Sequence, residues 1–178
     1  MKTSKTLLDA VDIAHILKRM ALEIIEMHKK LDDVALIGIH TRGVYLARRI
    51  QTLVKETESK QLMTGAVDIN LYRDDWTRIG HHPIVRKTDI SFEVDNKKII
   101  LIDDVLYTGR TVRSAMDALV DFGRPSRIEL AVLVDRGYRE LPIQANYTGK
   151  FIQTSPEESL NVLLVECDNE DRVDVVSG

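Results

Sequence analysis

Two adjacent carboxylates, Asp103 and Asp104, follow an apolar run at residues 99–102 and precede a turn that contains hydroxyl groups and a glycine. The uninterrupted apolar run predicts a parallel strand that is covered on both faces, and open α/β sheets bind ligands at the carboxyl ends of such strands. Behind the turn, apolar residues recur at helical spacing from Val112 to Val120. The backbone N–H groups and the dipole at the start of that helix favour an anion such as phosphate.

The carboxylate pair adds a second chemical function to this phosphate site. Carboxylates accept hydrogen bonds from vicinal hydroxyl groups and hold Mg²⁺, directly or through water. A phosphate, a diol and a metal within one short segment suggest a ribose 5-phosphate. Neither G-x-x-x-x-G-K-[ST] nor G-x-G-x-x-G occurs here, so neither nucleotide fingerprint applies. The alternative is an ordinary strand-to-helix turn with solvated or capping acidic side chains, which suits a lone Asp-Asp pair better than this combination.

A second candidate anion site is the turn His-Thr-Arg-Gly at residues 40–43, which follows a predicted buried strand at residues 34–39 and opens a helix. Thr41 offers a hydroxyl group, and Arg42 offers a guanidinium that can bind two phosphate oxygens at once. Because the carboxyl ends of parallel strands meet at one edge of a sheet, we expect this turn to lie near Asp103.

Strands alternate with helices along the chain, which predicts an α/β fold with a parallel sheet. An amphipathic helix is expected over residues 9–30, and further strands are expected over residues 67–71, 128–134 and 161–166. The long polar stretch at residues 74–96 is typical of a lid or a binding loop.

Bulk properties indicate one compact domain over residues 1–178. The net charge of −3 argues against binding nucleic acid over the whole surface, although a local basic patch remains compatible with it. No apolar stretch approaches the length of a membrane span, so no membrane association is expected. Cys167 is the only cysteine, which excludes an internal disulfide and favours a cytoplasmic location.

The segment KIILIDDVLYTGRT at residues 98–111 resembles the phosphoribosyl-pyrophosphate (PRPP) signature of the type I phosphoribosyltransferases. Four more segments narrow the resemblance: GIHTRGVY at 38–45, LYRDD at 71–75, TDI at 88–90 and LVDRGYRELPI at 133–143. Together they resemble the bacterial family of bifunctional pyrimidine-operon attenuation regulators and uracil phosphoribosyltransferases.

The resemblance implies a type I phosphoribosyltransferase fold, with a central, mainly parallel sheet flanked by helices. The core would span about residues 31–135, the two ends of the chain would form a small hood, and a lid loop would span about residues 72–96. The implied reaction is uracil + PRPP → UMP + pyrophosphate, with Mg²⁺. The implied second role is transcription attenuation, in which the protein binds the leader mRNA of pyrimidine-biosynthetic genes in response to uridine nucleotides.

The resemblance also assigns roles to residues of the two turns. Asp103 and Asp104 would hold the ribose hydroxyls, stabilise positive charge on the sugar and reach a PRPP-bound Mg²⁺ through water. Thr41 and Arg42 would bind pyrophosphate, and Arg42 is also assigned to catalysis. The full set expected to bind PRPP and its 5′-phosphate is Asp103, Asp104, Val105, Leu106, Tyr107, Thr108, Gly109, Arg110 and Thr111.

Other expected sites lie outside these turns. Arg136 and Gly137 would lie at the nucleobase. The lid residues would be Tyr72, Arg73, Asp74, Asp75 and Arg86. A basic surface for RNA would consist of Lys18, Arg19, Arg139 and Lys150. Departures from the family pattern at Tyr138, Gln144 and Leu22 remove polar or basic groups from that surface.

Two alternative functions stay open from the sequence. One is a phosphoribosyltransferase for a purine base; the other is an RNA-binding regulator that keeps the PRPP fold as a nucleotide sensor and has little catalysis. The expected partners are PRPP, uracil, UMP and UTP, the leader mRNA, and further copies of the chain in a homodimer or higher oligomer.

Overall fold

The structure, a computed structural model, describes residues 3–70 and 87–177. Within these ranges the chain forms eight strands and four helices. The strands are β1 (Thr3–Leu8), β2 (Val34–Ile39), β3 (Met63–Val67), β4 (Lys98–Leu106), β5 (Arg127–Asp135), β6 (Tyr147–Phe151), β7 (Glu158–Leu163) and β8 (Arg172–Ser177). The helices are α1 (Ala10–Met27), α2 (Arg42–Glu58), α3 (Arg110–Val120) and α4 (Val165–Asp168). Among the described helices, none combines the length and the apolar character that crossing a membrane requires.

Five strands form the central sheet in the order β3-β2-β4-β5-β6, and every neighbouring pair is parallel. A second, antiparallel sheet has the order β1-β8-β7 and unites the two ends of the chain. We call this second sheet, together with α4, the hood. The predicted parallel sheet with flanking helices and a small hood is therefore confirmed.

The central sheet is covered on both faces, and β4 shows this most clearly. Ile100 and Ile102 belong to the apolar cluster that includes residues of α1 and α2. Ile99 and Leu101 belong to the cluster on the opposite face, which includes residues of α3. Burial of alternate residues on opposite faces explains why the sequence of this strand is continuously apolar rather than alternating.

Helix α1 begins with a reciprocal capping box, in which the Asp9 carboxylate accepts the Asp12 N–H at 2.9 Å and the Asp12 carboxylate accepts the Asp9 N–H at 3.2 Å. The helix ends at Met27 rather than at the predicted residue 30, and Met27 is exposed rather than part of the buried face. The reason is His28, which leaves helical geometry and places its buried ring 2.9 Å from the Glu129 carboxylate. The buried face of α1 consists of Ile13, Leu17, Met20, Ala21 and Ile24.

The strand predicted at residues 67–71 was wrong in position, because β3 spans Met63–Val67. The strand ends at Val67, after which the Asp68 carboxylate accepts the backbone N–H of Asn70 at 3.0 Å. An Asp side chain that bonds to the backbone two residues later favours a turn. The chain therefore leaves the sheet at Asp68.

The strand predicted at residues 161–166 was also displaced, because β7 spans Glu158–Leu163 and is followed by α4. The Asp168 carboxylate accepts the Leu164 N–H at 2.9 Å, which favours a helical turn directly after the strand. An apolar run alone cannot distinguish a strand from a short helical turn at its end.

Candidate active site

Strand β4 extends to Leu106, past the predicted end at residue 102, because β5 continues beside it. On its other side, the pairing with β2 stops at the Gly38–Ile102 pair. Asp103 and the three residues after it therefore project beyond β2 at the carboxyl edge of the sheet. The turn that follows β2 lies in the space so created.

Gly43, in that turn, allows the residue 40–43 turn to pack directly against the backbone at the end of β4. A Cβ atom on Gly43 would lie 2.2 Å from the carbonyl oxygen of Ile102 and 3.3 Å from the Cα of Asp103. No side chain larger than hydrogen fits against this backbone. The expected proximity of the residue 40–43 turn to Asp103 is thus confirmed, and the peptide bond between His40 and Thr41 is cis.

Asp103 is buried and Asp104 is half-buried, and their backbone and side chains are linked. The Asp103 carboxylate accepts the Asp104 N–H at 3.0 Å, and the Asp104 carboxylate accepts the Val105 N–H at 2.8 Å. Burial and then the negative charge of Asp104 raise the pKa of Asp103 well above its usual range. Such a pair is stabilised by an approaching positive charge, whether a metal ion or a sugar cation.

The turn between β4 and α3 has the geometry of an anion site. Gly109, the N-cap of α3, adopts φ of 93° and provides no side-chain hydrogen bond to the helix start. The Thr108 carbonyl accepts the N–H groups of Glu140 at 3.0 Å and Leu141 at 3.1 Å, which fixes the turn from outside. The positive end of α3 therefore faces the ligand edge with a glycine at its N-cap, where a phosphate is favoured.

Tyr107 connects the phosphate turn to the segment after β5. The Arg136 guanidinium carbon lies 4.0 Å from the centroid of the Tyr107 ring. The ring of Tyr138 meets Tyr107 edge-on, with centroids 6.5 Å apart and planes at 73°. These three side chains form a cation–aromatic cluster beside the predicted base site.

Arg136 and Gly137 lie where the resemblance expects the nucleobase, at the end of β5, but the Arg136 guanidinium is directed at the hood connection. Its Nε donates to the Thr154 hydroxyl at 3.0 Å, and its Nη2 donates to the Glu158 carbonyl at 2.7 Å. The Gly137 N–H donates to the Asp135 carboxylate at 2.9 Å. The Arg136 guanidinium is therefore bound to the hood connection, and base binding by Arg136 and Gly137 stays a prediction.

Arg42 is the first residue of α2 and lies at the expected pyrophosphate turn, with its guanidinium bound by the hood. Its Nε and Nη2 donate to the two carboxylate oxygens of Asp168 at 3.1 and 2.9 Å. Sequence analysis missed Asp168. The acidic composition of residues 166–171 was the only signal, and it does not specify which arginine those carboxylates bind.

The expected lid residues Tyr72, Arg73, Asp74, Asp75 and Arg86 lie outside the described residues. The residues on either side of 71–86 are described, however, and they adjoin the pyrophosphate turn. The Asp68 N–H donates to the Thr88 hydroxyl at 3.0 Å, and the His40 ring lies 3.3 Å from the Lys87 carbonyl. Residues 68 and 88 are therefore in contact, and residue 87 lies beside residue 40.

Of the four residues expected to bind RNA, three are exposed and one, Arg139, is half-buried. Lys18, Arg19 and Lys150 are exposed, and Arg19 donates to the Gly149 and Thr148 carbonyls of β6, directly before Lys150. Their role on RNA stays a prediction.

The role of Arg139 on RNA also stays a prediction, and its guanidinium is bound within the fold. Its guanidinium donates to the Tyr107 carbonyl at 3.0 Å, the Ile143 carbonyl at 2.9 Å and the Asp135 carboxylate at 2.5 Å. This arginine joins the phosphate turn to the end of β5, a contact that its place in the sequence did not indicate.

Comparison with known proteins identifies the family. A family model described as "Phosphoribosyl transferase domain" matches residues 3–164. The chain is 54% identical to the "Bifunctional protein PyrR" of Desulfosudis oleivorans over 97% of this chain and 96% of that protein. It is 52% identical to the "Bifunctional protein PyrR" of Thermus thermophilus over 98% of this chain and 97% of that protein.

Solved structures agree on the fold. A hypoxanthine phosphoribosyltransferase from Staphylococcus aureus superposes with a TM-score of 0.70 at 22% identity, covering 95% of this chain and 90% of that one. One from Trypanosoma cruzi superposes with a TM-score of 0.73 at 17% identity, covering 98% and 91%. These structures, at 22% and 17% identity, show the type I phosphoribosyltransferase fold alone. The relatives that are 52–54% identical over nearly the full length, together with the family model, show the family: the chain belongs to the PyrR family of phosphoribosyltransferase-domain proteins.

Proposed function

We propose that this protein is a uracil phosphoribosyltransferase that also regulates pyrimidine-biosynthetic genes by binding their leader mRNA in response to uridine nucleotides. Membership in a family whose proteins are named bifunctional supports both roles. The observation that supports catalysis most strongly is the packing of Gly43 against Ile102 and Asp103, which joins the pyrophosphate turn to the carboxylate pair.

In the proposed reaction, a nitrogen of uracil forms a bond to the anomeric carbon of PRPP while the bond from that carbon to pyrophosphate breaks. The nitrogen loses its proton, and pyrophosphate leaves with the bonding electron pair. Positive charge develops on the sugar, and the carboxylates of Asp103 and Asp104 stabilise it. Preorganised charges in a water-poor site are worth far more than in solution. No nucleophile from the protein is needed.

The two turns divide the rest of PRPP between them. The residue 107–111 turn and the N-terminus of α3 would bind the 5′-phosphate, and Thr41 with Arg42 would bind the pyrophosphate. With both ends of PRPP held, the anomeric carbon is oriented toward the base segment at Gly137. Orientation of this kind replaces an encounter in solution by an effectively intramolecular step.

Mg²⁺ fits this site as a partner of PRPP rather than as a resident ion. Within residues 3–70 and 87–177, no group of three or more His, Cys, Asp and Glu side chains is placed to hold a metal. Asp103 and Asp104 offer the hard oxygen donors that Mg²⁺ prefers, usually together with substrate phosphates and water. When bound, the ion would neutralise charge on the leaving pyrophosphate.

The regulatory role would use the exposed surface that α1 and β6 share. Lys18, Arg19 and Lys150 are the exposed cations expected to contact RNA phosphates, and UMP or UTP at the PRPP site would favour the RNA-binding state. Exposed Leu22 and Gln144 mark where this surface departs from the family pattern. Self-association into a homodimer or higher oligomer is part of the proposal and would extend the surface across subunits.

A base panel tests the proposal. Purified protein is incubated with PRPP, Mg²⁺ and uracil, hypoxanthine, guanine or adenine in turn, and the nucleotide product is identified by mass spectrometry. We expect UMP from uracil and no purine nucleotide. A purine nucleotide as the main product would establish the purine alternative. Absence of any product, together with UMP-dependent binding of a pyrimidine-leader RNA in a gel shift, would establish the regulator without catalysis.

A further inference from the structure

The hood and the pyrophosphate turn are joined by one arginine–carboxylate pair. Asp168, the last residue of α4, binds Arg42, the first residue of α2, through two roughly parallel hydrogen bonds of 2.9 and 3.1 Å. The side chains are 19% and 29% exposed, so the pair is only partly screened by solvent. A bidentate pair of this kind fixes the plane of the guanidinium as well as its position.

Asp168 is itself held firmly in the hood. Its Oδ2 accepts the backbone N–H of Leu164 at 2.9 Å and lies 3.1 Å from the Cys167 sulfur. The carboxylate is thus fixed to the start of α4 before it reaches across to α2. Its geometry is set by the hood backbone, and it transmits that geometry to Arg42.

The pair leaves part of the arginine available for an anion. Asp168 engages the Nε and one N–H of Nη2, so the Nη1 edge of the guanidinium is not part of this interaction. Burial opposes the charge of Arg42, but the hydrogen bonds and charge of Asp168, with a contribution from the charge of Asp104, raise its pKa. Arg42 is therefore bound by the hood carboxylate, and the next residue, Gly43, packs against the backbone of Ile102 and Asp103.

We propose that Asp168 is a positioning residue of the transferase site, whose carboxylate holds the Arg42 guanidinium in the orientation that binds pyrophosphate. The inference rests on the proposed function, in which the residue 40–43 turn receives that group. A free arginine side chain samples many rotamers, and the entropy lost when an anion fixes it weakens binding. Asp168 fixes the rotamer in advance, so the anion meets a prearranged donor.

The chain provides a matched control in Asp171. Its carboxylate binds Arg49 of the same helix α2 with two hydrogen bonds of 2.8 Å and accepts the Val165 N–H at 2.9 Å. It is also 19% exposed. Asp171 thus attaches the hood to α2 as Asp168 does, but it binds an arginine seven residues, about two helical turns, beyond Arg42.

The test compares Asp168→Asn and Asp171→Asn in the full-length protein. The affinity for inorganic pyrophosphate with Mg²⁺ is measured by calorimetry, and the KM values for PRPP and uracil are measured in the transfer assay. We expect Asp168→Asn to weaken pyrophosphate binding and to raise the KM for PRPP, each by about tenfold, while the KM for uracil stays within twofold. Asp171→Asn should leave all three within twofold. Glu166 also binds Arg49, through hydrogen bonds of 2.8 and 2.6 Å, so the Arg49 guanidinium keeps a carboxylate partner in this variant.

Equal losses of pyrophosphate affinity in the two variants, or no loss in either, would overturn the inference. The same holds if the wild-type protein does not bind pyrophosphate at all. Because the calorimetric readout needs no turnover, a wild-type protein that binds pyrophosphate but transfers no uracil would refute the proposed function while the Asp168 inference is still decided by binding.

Discussion

The guanidinium of Arg136 stacks on the ring of Tyr107, with 4.0 Å between the guanidinium carbon and the ring centroid. Arg136 belongs to the segment after β5, whereas Tyr107 belongs to the turn expected to bind the 5′-phosphate. Arg136 also binds the chain that enters the hood, since it donates to the Thr154 hydroxyl and the Glu158 carbonyl. One arginine therefore links the phosphate turn, the base segment and the chain that enters the hood.

Replacing the ring of Tyr107 should break this link. A cation–π contact of this kind contributes about 1 kcal/mol, so Tyr107→Ala should lower the free energy of unfolding by about that amount and raise the KM for PRPP. Tyr107→Phe keeps the ring and should change neither quantity beyond error. Urea unfolding and the transfer assay measure both. If the Phe variant were as impaired as the Ala variant, the hydroxyl rather than the stacked ring would be responsible.

Asp103 is expected to lower stability at neutral pH. Burial, and secondly the charge of Asp104, raise its pKa in the folded protein. A carboxyl with a raised folded pKa favours folding while protonated, and this contribution is lost as pH rises through the folded pKa. Each pKa unit corresponds to about 1.4 kcal/mol.

Asp103→Asn should therefore abolish efficient transfer yet raise the free energy of unfolding at pH 7. The gain should shrink as pH falls through the folded pKa and disappear below about pH 3, where the wild-type carboxyl is protonated in both states. Urea denaturation at both pH values tests this. A variant less stable than the wild type at pH 7 would show that the ionised carboxylate is compensated in the fold.

Tyr147 belongs to a buried polar cluster whose carboxylate, Glu129, lies toward the amino end of β5. Its hydroxyl donates to the Glu129 carboxylate at 2.7 Å, and the ring of His28 lies 2.9 Å from the same carboxylate. Burial alone would raise the pKa of Glu129, but the hydrogen bonds of Tyr147 and His28 and nearby positive charge lower it overall. A lowered folded pKa stabilises the fold above the unfolded pKa, and this stability is lost as pH falls through the folded value.

Tyr147→Phe should accordingly destabilise the protein by about 1–2 kcal/mol at pH 7 and by less in acid, where Glu129 is protonated. Transfer activity should stay at the wild-type level, because the Tyr147 hydroxyl is directed at Glu129 near the amino end of β5, whereas the site residues follow the carboxyl ends of β2, β4 and β5. Tyr45→Phe, which removes a hydroxyl from a tyrosine packed on the same core, is the control and should have little effect. Loss of activity in Tyr147→Phe under folded conditions would contradict this separation.

RNA binding should depend on the cations beside β6. Changing Lys18 and Lys150 together to Gln should weaken binding of a pyrimidine-leader RNA and reduce the steepness of its salt dependence by about two phosphate contacts. Uracil transfer should be unaffected, and UMP should tighten RNA binding by the wild type. Gel-shift titrations at several salt concentrations measure these effects. Unchanged RNA affinity in the double variant would show that Lys18 and Lys150 do not contact the RNA.

The sequence predicts those parts of the fold that depend on the order of apolar and polar residues within a short segment. The apolar runs of β2, β4 and β5 required burial on both faces, and the two turns after β2 and β4 contain the residues that chemistry demands. Burial of a parallel sheet and its ligand edge follow from such patterns. Proximity of the turns was expected for this reason, and Gly43 provides it.

The remainder depends on contacts between distant parts of the chain. The binding of Arg42 by Asp168 spans 126 positions, and Arg139 bonds to the Tyr107 carbonyl across 32. Nothing in the local sequence distinguishes these arginines from solvated ones. The displaced ends of β3 and β7 have the same origin, since side-chain hydrogen bonds from Asp68 and Asp168, rather than hydrophobic pattern, end those strands.

Asp104→Asn provides the most direct test of the central claim, that the carboxylate pair and the adjoining pyrophosphate turn perform uracil transfer from PRPP. UMP and pyrophosphate are quantified in parallel from uracil, PRPP and Mg²⁺, for the wild type and the variant. We expect equal amounts of both products from the wild type, and a rate about 10²–10³ lower from Asp104→Asn with the fold intact by circular dichroism. Near-normal turnover in the variant, or pyrophosphate released without UMP, would contradict the account.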